Sequence, residues 1–171
     1  AEPAAMEAIE ATVAHPEWLD LRGYCFVIMG ATSAMGPLEH LLNWGATVIA
    51  IARPRVSTWS KLIALARSSS GKLVFPAKVE VLEDASDDTL ARAGGADLLV
   101  DTPEIAAWLN DTLTHMVETK ECVSITMGVY VYLDGDAHVR VSLACDAIIS
   151  SVLSSSLDKQ LFTLAYMQTP S

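Results

Sequence analysis

The chain has 171 residues, of which 51% are hydrophobic and 19% charged, a composition that excludes intrinsic disorder and suits one globular domain with a buried core. Acidic residues outnumber basic residues 21 to 11, and the resulting net charge of −10 argues against nucleic acid as a partner. The longest apolar stretches are far shorter than the roughly 20 residues that cross a bilayer, so we expect no membrane insertion by this chain.

Residues 1–22 are predicted to form an N-terminal acidic helical extension. The segment AEPAAMEAIEATVA indicates a short helix that ends before Pro16. It lacks the basic start and the long apolar core of a secretory signal. The first residue is Ala and not Met, which suits a cleaved organellar precursor and a deliberately shortened chain equally well, so chloroplast, mitochondrion and cytoplasm all stay open as locations.

Three cysteines, Cys25, Cys122 and Cys145, stand at wide spacing, and two of them lie inside apolar runs. An odd number at such spacing is not typical of a disulfide framework or of a metal site. We interpret them as buried reduced thiols. The expected location is therefore an intracellular reducing compartment.

From residue 23 onward, apolar runs of strand length alternate with segments of helical periodicity. The predicted strands cover 25–29, 47–52, 72–77, 97–100, 122–133 and 160–167. The predicted helices cover 37–44, 58–68, 88–93, 103–118 and 141–155. Because the connections are short, the pattern predicts an α/β domain over 23–171, with a doubly wound parallel sheet of about six strands and helices on both faces.

The sequence GATSAMG at 30–36 joins the first predicted strand to the first predicted helix. At such a junction the free N–H groups of the helix attract phosphate, and glycine lets the backbone turn and a pyrophosphate approach. Gly30 and Gly36 occupy the first and last glycine positions of this fingerprint, while the middle one is replaced by Ser33 or by Ala34, depending on the alignment, and both are small. We interpret the segment as a phosphate-binding loop. The alternative is that both glycines only permit a tight strand-to-helix crossing.

This loop and two later stretches carry a resemblance to a known family. GATSAMG, GATVIAIARPR at 45–55 and EDASDDTLARAGGADLLVDTP at 83–103 are similar to the first half of the short-chain dehydrogenase/reductase superfamily, in particular its extended and atypical branches. The resemblance covers residues 23–105 in its motifs and continues to residue 171 only as topology. It implies a Rossmann-like dinucleotide-binding domain.

The resemblance also implies which residues bind the cofactor. Five loop residues would cradle the pyrophosphate: Gly30, Thr32, Ser33, Met35 and Gly36. A carboxylate after the second strand would bind the 2′-hydroxyl of NAD, whereas the guanidinium of Arg53 suits a 2′-phosphate, so NADP is the expected cofactor. Asp84 would be the acid on the adenine side. Two simpler interpretations stay open: Arg53 and Arg55 mark a solvated loop, and Asp84 belongs to a helix-capping turn.

The catalytic half of the family pattern is missing. In the family a lysine follows the tyrosine acid by four residues, but Tyr130 and Tyr132 are followed by Asp134 and Asp136, and the chain contains no Tyr-x-x-x-Lys. The remaining candidates for a catalytic role are Tyr130 and Tyr132 with His138.

Four polar residues between 134 and 140 alternate with other residues: Asp134, Asp136, His138 and Arg140. Carboxylate and imidazole groups in such a series suit a divalent-metal site. A β-turn at 134–135 followed by a helix with Asp136 as its cap explains the same residues, and we favour it. The sequence therefore predicts no metal site.

Three functions fit these observations. The first is a catalytically atypical NADP(H)-binding domain that acts as a structural or redox-sensing subunit. The second is an accessory subunit of a larger organellar assembly, bioenergetic or photosynthetic, with an empty nucleotide pocket. The third is an active NADPH-dependent reductase with an unconventional acid, which the missing tyrosine–lysine pair disfavours. Other protein subunits are expected partners, with Trp44 and Trp59 near helix ends as candidate contacts.

Overall fold

The computed structural model describes residues 3–82 and 84–167. Within them, six helices lie at α1 (Pro3–Ala14), α2 (Leu38–Asn43), α3 (Val56–Arg67), α4 (Asp87–Ala93), α5 (Thr102–Glu118) and α6 (Asp136–Leu153). Five strands lie at β1 (Tyr24–Met29), β2 (Thr47–Ile51), β3 (Lys72–Val74), β4 (Ser124–Val129) and β5 (Phe162–Tyr166). Short 3₁₀ helices at Pro16–Leu19 and Lys159–Leu161 precede β1 and β5.

The strands form one sheet in which every neighbouring pair is parallel, in the order β3-β2-β1-β4-β5. At its centre, Val27 of β1 lies opposite Ile49 of β2 and Met127 of β4. These three side chains are completely buried, because a parallel sheet needs cover on both faces. The predicted α/β fold, with a parallel sheet flanked by helices, is confirmed at this level.

The strand predicted at 97–100 is wrong, and the described residues form five strands instead of about six. Residues 97–101 form a turn in which the N–H of Asp97 donates to Asp101 Oδ2 over 2.8 Å and the N–H of Asp101 donates to the Asp97 carbonyl over 2.7 Å. The N–H of Leu99 donates to Asp97 Oδ1 over 2.9 Å. These amide groups are used inside the turn, and β4 takes the place beside β1.

Helices cover both faces of the sheet. Val27 and Met29 point from β1 into a cluster shared with α5 and α6, whereas Ile28 points into a cluster shared with α2 and α3. Leu109 of α5 and Ile148 of α6 are completely buried in the first cluster. Because burying one such side chain contributes about 1.5–3 kcal/mol, the two clusters supply the main force that holds the layers together.

Trp59, predicted as a contact for a partner, is instead completely buried in the second cluster. Its indole N–H donates to the Arg53 carbonyl over 3.2 Å, and its ring lies 4.6 Å from that of Phe75. Trp44 keeps 40% of its surface exposed. Of the two predicted contact residues, only Trp44 is therefore accessible.

Helix α1 lies outside both clusters, and none of the residues Pro3–Ala14 is buried. In the part of the chain that the structure describes, no helix combines the length and apolar character needed to span a membrane. All three cysteines are free and buried, as the sequence predicted.

Candidate functional site

A cavity of about 270 Å³ lies at the carboxyl edge of the sheet, beyond the ends of β1, β2 and β4. Its walls are formed by residues 30, 32 and 33, by 51–53, by 96–99, by 130–133 and by Val141 of α6. Strand β1 is the topological switch point of the sheet, because β2 and β3 are added on one side of it and β4 and β5 on the other. Ligands of open parallel sheets bind at such points.

The loop at 30–36 consists of two consecutive turns. The N–H of Ser33 donates to the Gly30 carbonyl over 2.9 Å, and the N–H of Gly36 donates to the Ser33 carbonyl over 3.0 Å. The N–H groups of Gly30 and Ala31 both donate to the Ile51 carbonyl over 3.1 Å, which fastens the loop to β2. Four of the seven amides in the loop are therefore already used.

The amides of Thr32, Ala34 and Met35 make no hydrogen bond to any backbone carbonyl of the described residues. Helix α2 begins only at Leu38, after Pro37, and has six residues. The loop therefore precedes the helix instead of opening it, and its free donors come from the turns and not from a helix end.

Gly30 and Gly36 have different structural roles. Gly30 has a φ of +84°, and a Cβ there would lie 2.7 Å from Cγ1 of Val131. Gly36 has no positive φ, and a Cβ there would meet the Ser33 carbonyl oxygen at 3.1 Å. Gly30 thus permits the close approach of the segment after β4, while Gly36 permits a compact second turn.

The structure brings four of the seven predicted cofactor residues to the cavity: Gly30, Thr32, Ser33 and Arg53. Met35 points to solvent, with 76% of its surface exposed, and neither it nor Gly36 lines the cavity. Asp84 is exposed in the connection between β3 and α4, also away from the cavity walls. The carboxylate residue in the cavity wall is Asp97, which the sequence placed at the start of a strand.

Arg53 follows the end of β2, is exposed, and forms no ion pair with any carboxylate of the described residues. Its carbonyl is held by the indole of Trp59, so the backbone at this position is fixed while the side chain is free to reach a ligand. Arg55 is also exposed but is not part of the cavity wall.

Tyr130 and Tyr132 both line the cavity. The N–H of Tyr130 donates to the Met29 carbonyl over 2.9 Å, and its ring lies so close to the β4 backbone that a Cβ at Gly128 would be 2.4 Å from Cε2. Burial raises the pKa of the Tyr130 hydroxyl above its usual value, so the group stays protonated at neutral pH.

Tyr132 is 72% exposed, and its ring centroid lies 5.6 Å from that of His138 in the first turn of α6. The structure therefore brings these two candidates together, but His138 does not reach the cavity wall. Helix α6 begins at Asp136, earlier than the helix predicted over 141–155 but within one residue of the favoured turn and helix start at 134–136; its cap is Gly135 and not Asp136. Within the described residues, no group of three or more His, Cys, Asp or Glu side chains could hold a metal ion.

Sequence reasoning missed the cavity wall formed by residues 96–99. The signal for it is the spacing of Asp97 and Asp101 just before Pro103, which is typical of a turn that begins a helix.

Comparisons of the chain with protein-family models, with curated proteins and with solved structures give no match. The cavity and its lining residues are therefore the features from which a function is inferred.

Proposed function

We propose that the chain is a Rossmann-like domain of the atypical short-chain dehydrogenase/reductase type that binds NADP(H) at the carboxyl edge of its sheet without turning it over. It acts as a structural or redox-sensing subunit. The observation that carries this proposal is the position of the cavity beside β1, where the loop after β1 and Arg53 after β2 face the same space. This is the place where doubly wound sheets bind nucleotides.

Three kinds of group in and beside this cavity suit a phosphorylated ligand. Thr32 and Ser33 supply hydroxyl groups in its wall. The free amides of Thr32, Ala34 and Met35 are further donors in the same loop. Arg53 supplies the positive charge, and its planar guanidinium matches a phosphate better than a hydroxyl. This last point favours NADP over NAD.

The size of the cavity limits how the cofactor lies. Sites that enclose a small molecule usually measure about 300–1,000 Å³. The cavity of about 270 Å³ is below that range, so it encloses one part of a dinucleotide and leaves the rest along the exposed turn that contains Thr32.

The side chains that could transfer a proton do not form a working acid. No lysine follows either tyrosine by four residues, so the sequence lacks the charge that would lower a tyrosine pKa. Tyr130 instead has a raised pKa, and the Tyr132–His138 pair lies at the surface. We therefore expect binding without hydride transfer. Oxidation of NADPH by the purified chain in the presence of an added carbonyl compound, which accepts the hydride, would support the active reductase instead if it is lost in both Tyr130→Phe and Tyr132→Phe.

The first experiment is a calorimetric titration of the chain with NADPH and, separately, with NADH. Micromolar NADPH binding with weaker NADH binding is the expected result. Arg53→Ala should weaken NADPH binding about tenfold, roughly 1.4 kcal/mol, and leave NADH unchanged. Arg55→Ala is the matched control, since it removes an exposed guanidinium two residues away. Equal losses for both cofactors would refute the 2′-phosphate role of Arg53.

A second pair of variants tests the loop. Thr32→Glu places a carboxylate at the cavity and should weaken NADPH binding by about tenfold or more. Two like charges at about 4 Å repel each other by roughly 1 kcal/mol in bulk water and by roughly 4 kcal/mol near a protein surface. Met35→Glu adds the same charge to the same loop outside the cavity wall and should have a smaller effect. Equal effects would place the phosphates elsewhere.

A second function, accessory subunit of a larger organellar assembly, is favoured by exposed apolar groups at one end of the sheet. Among the described residues, β5 is an edge strand of the sheet. Its side chains Leu164 and Tyr166 are 41% and 51% exposed. Exposed strand edges promote association. In size-fractionated extract of the native cells, the chain should migrate far above the size of a single chain, and Leu164→Lys should reverse this. Migration of the unaltered chain as a monomer would exclude this function.

A further inference from the structure

Asp97 and Arg53 occupy neighbouring positions in the cavity wall. The N–H of Ala96 donates to the carbonyl of Ala52 over 3.0 Å, and Ala52 directly follows β2. This hydrogen bond holds the backbone of Asp97 beside that of Arg53 at the carboxyl edge of the sheet, where both residues line the cavity. In the described part of the chain no ion pair links them, so each stays available to a ligand.

The turn at 97–101 fixes the carboxylate of Asp97. Its Oδ1 accepts the N–H of Leu99 over 2.9 Å, while its own N–H donates to Asp101 Oδ2 over 2.8 Å. The second oxygen, Oδ2, accepts no hydrogen bond from any residue that the structure describes. One oxygen of a fixed carboxylate is therefore open to a ligand group that donates a hydrogen bond.

The cavity wall offers different chemistry on its different sides. Thr32 and Ser33 supply hydroxyl groups, and Arg53 supplies a positive charge. Around Asp97 the wall is mainly apolar and consists of Ile51, Leu98, Leu99, Val131, Leu133 and Val141. Because a carboxylate repels phosphate, the phosphate groups of a ligand lie towards Arg53 and the loop. The part of the ligand beside Asp97 must then have an apolar surface and carry a hydrogen-bond donor.

Adenine is the part of NADP(H) that meets these requirements next to Arg53. Its ring packs on apolar side chains, and its exocyclic amino group is a hydrogen-bond donor. The adenine and the 2′-phosphate assigned to Arg53 are attached to the same ribose, whereas the pyrophosphate and a second ribose separate them from the nicotinamide. The cavity of about 270 Å³ is smaller than most sites that enclose a small molecule, so it encloses only one part of the dinucleotide. That part is the phosphoadenosine half.

We infer that the cavity is a site for the 2′-phosphoadenosine group, in which the Asp97 carboxylate accepts a hydrogen bond from the adenine amino group. This inference rests on the proposed binding of NADP(H) and names the half of the cofactor that is recognised. The nicotinamide lies outside the cavity, so its oxidation state does not change the affinity. The chain then binds the oxidised and the reduced cofactor equally, which favours a structural role over a redox-sensing one.

The preference for the base tests the role of Asp97. In calorimetric titrations, NADPH should bind at least about tenfold more tightly than its hypoxanthine analogue, in which a carbonyl oxygen replaces the amino group. Asp97→Asn keeps the acceptor for Leu99 and offers an amide that pairs with either base, so it should bind both within about threefold. Asp84→Asn is the matched control, because it removes the same charge from an exposed residue outside the cavity wall, and it should keep the full preference.

Fragments of the cofactor test which half is enclosed. Adenosine 2′,5′-bisphosphate should bind within about tenfold of NADPH, and NADP⁺ should bind within about threefold of it, whereas nicotinamide mononucleotide should not compete. Three results would overturn this inference and leave the proposed function standing: equal binding of the two bases, a base preference that survives Asp97→Asn, and a roughly tenfold difference between NADP⁺ and NADPH. Competition by nicotinamide mononucleotide without binding of the bisphosphate would do the same. Absence of binding by both NADP⁺ and NADPH would overturn the proposed function as well.

Discussion

Gly30 has a φ of +84°, and an added Cβ would lie 2.7 Å from Cγ1 of Val131 and 3.0 Å from its backbone nitrogen. The left-handed conformation alone costs a non-glycine residue about 1–2 kcal/mol. The contact with backbone adds to this, because Val131 cannot move without disturbing the pairing of Tyr130 with β1. We expect Gly30→Ala to lower the free energy of unfolding by more than about 2 kcal/mol in urea titrations.

The control for this substitution is Gly135→Ala. Gly135 has a φ of +62°, and no described atom lies within 4 Å of a Cβ built there. Substituting Gly135 therefore introduces backbone strain but no steric clash. Equal losses for the two variants would mean that the approach of Val131 does not require glycine at position 30.

The burial of the Cys145 thiol can be tested by measuring how the free energy of unfolding depends on pH. Burial, and then the charge of Asp146, raise the pKa of Cys145 from 9.0 to about 11. Between these two values the unfolded chain has lost the proton and the folded chain has kept it, so the free energy of unfolding falls as the pH rises through this range. Below pH 9.0 this contribution to stability is fully present.

Cys145→Ala removes this titration. We expect the variant to be about 1 kcal/mol less stable than the unaltered chain at neutral pH, because it loses a buried side chain. The difference should shrink above pH 9.0 and change sign before pH 11, since only the unaltered chain loses the contribution of Cys145, and this contribution exceeds about 1 kcal/mol. Cys25 and Tyr130 titrate in the same direction in both chains and cancel in the comparison. Urea titrations over this pH range measure the stability difference between the two chains. A difference that stays constant with pH would contradict the burial of the Cys145 thiol.

Among the elements, those with a clear periodicity were predictable from the sequence. The apolar runs at 25–29 and 47–52 are β1 and β2, and the amphipathic segment at 103–118 is α5 within one residue. The run at 97–100 failed because Leu98 is buried without being in a strand. An apolar run shows that side chains are buried, but the hydrogen bonds of Asp97 and Asp101 decide whether the backbone is extended.

The position of the cavity was predictable from the sequence where its lining residues directly follow parallel strands. Gly30, Arg53 and Tyr130 each follow a strand end, and the carboxyl ends of parallel strands meet at one edge of the sheet. The outward direction of Met35 depends on the two turns of the loop, and the distant position of Asp84 depends on the long connection after β3. Neither follows from periodicity, because both are set by local backbone conformations.

The contact between α3 and the end of β2 depends on one indole. Trp59 of α3 donates to the Arg53 carbonyl over 3.2 Å and packs on Phe75. Trp59→Phe removes the donor and leaves a small cavity, so we expect a loss of about 2 kcal/mol in the free energy of unfolding. Under the proposed function, NADPH affinity should fall as well, because the Arg53 backbone loses its anchor.

Trp44→Phe is the matched control for Trp59→Phe. Its ring is 40% exposed, and we expect its substitution to change stability by less than about 1 kcal/mol. Urea titration and NADPH calorimetry of both variants make the comparison. If both substitutions cost the same, the hydrogen bond to Arg53 contributes nothing measurable.

At the scale of the whole molecule, the cavity lies at the carboxyl ends of β1 and β4, whereas Cys25 and Cys122 lie near the amino ends of the same two strands. Strands β1 and β4 pair over six residues each, from Tyr24 opposite Ser124 to Met29 opposite Val129. Six residues of parallel strand span about 20 Å. These two thiols are therefore far from the cavity.

The division of the chain into a helical extension over 1–22 and a domain over 23–171 leads to the last prediction. Helix α1 has no buried residue, whereas Leu21 packs on the cluster beneath α2 and α3 and its N–H donates to the Trp44 carbonyl over 2.9 Å. Deleting residues 1–14 should therefore change the free energy of unfolding by less than about 0.5 kcal/mol and, under the proposed function, leave NADPH affinity unchanged. Leu21→Ala should cost more than about 1 kcal/mol. A deletion as costly as Leu21→Ala, measured by urea titration, would show that α1 belongs to the folded domain.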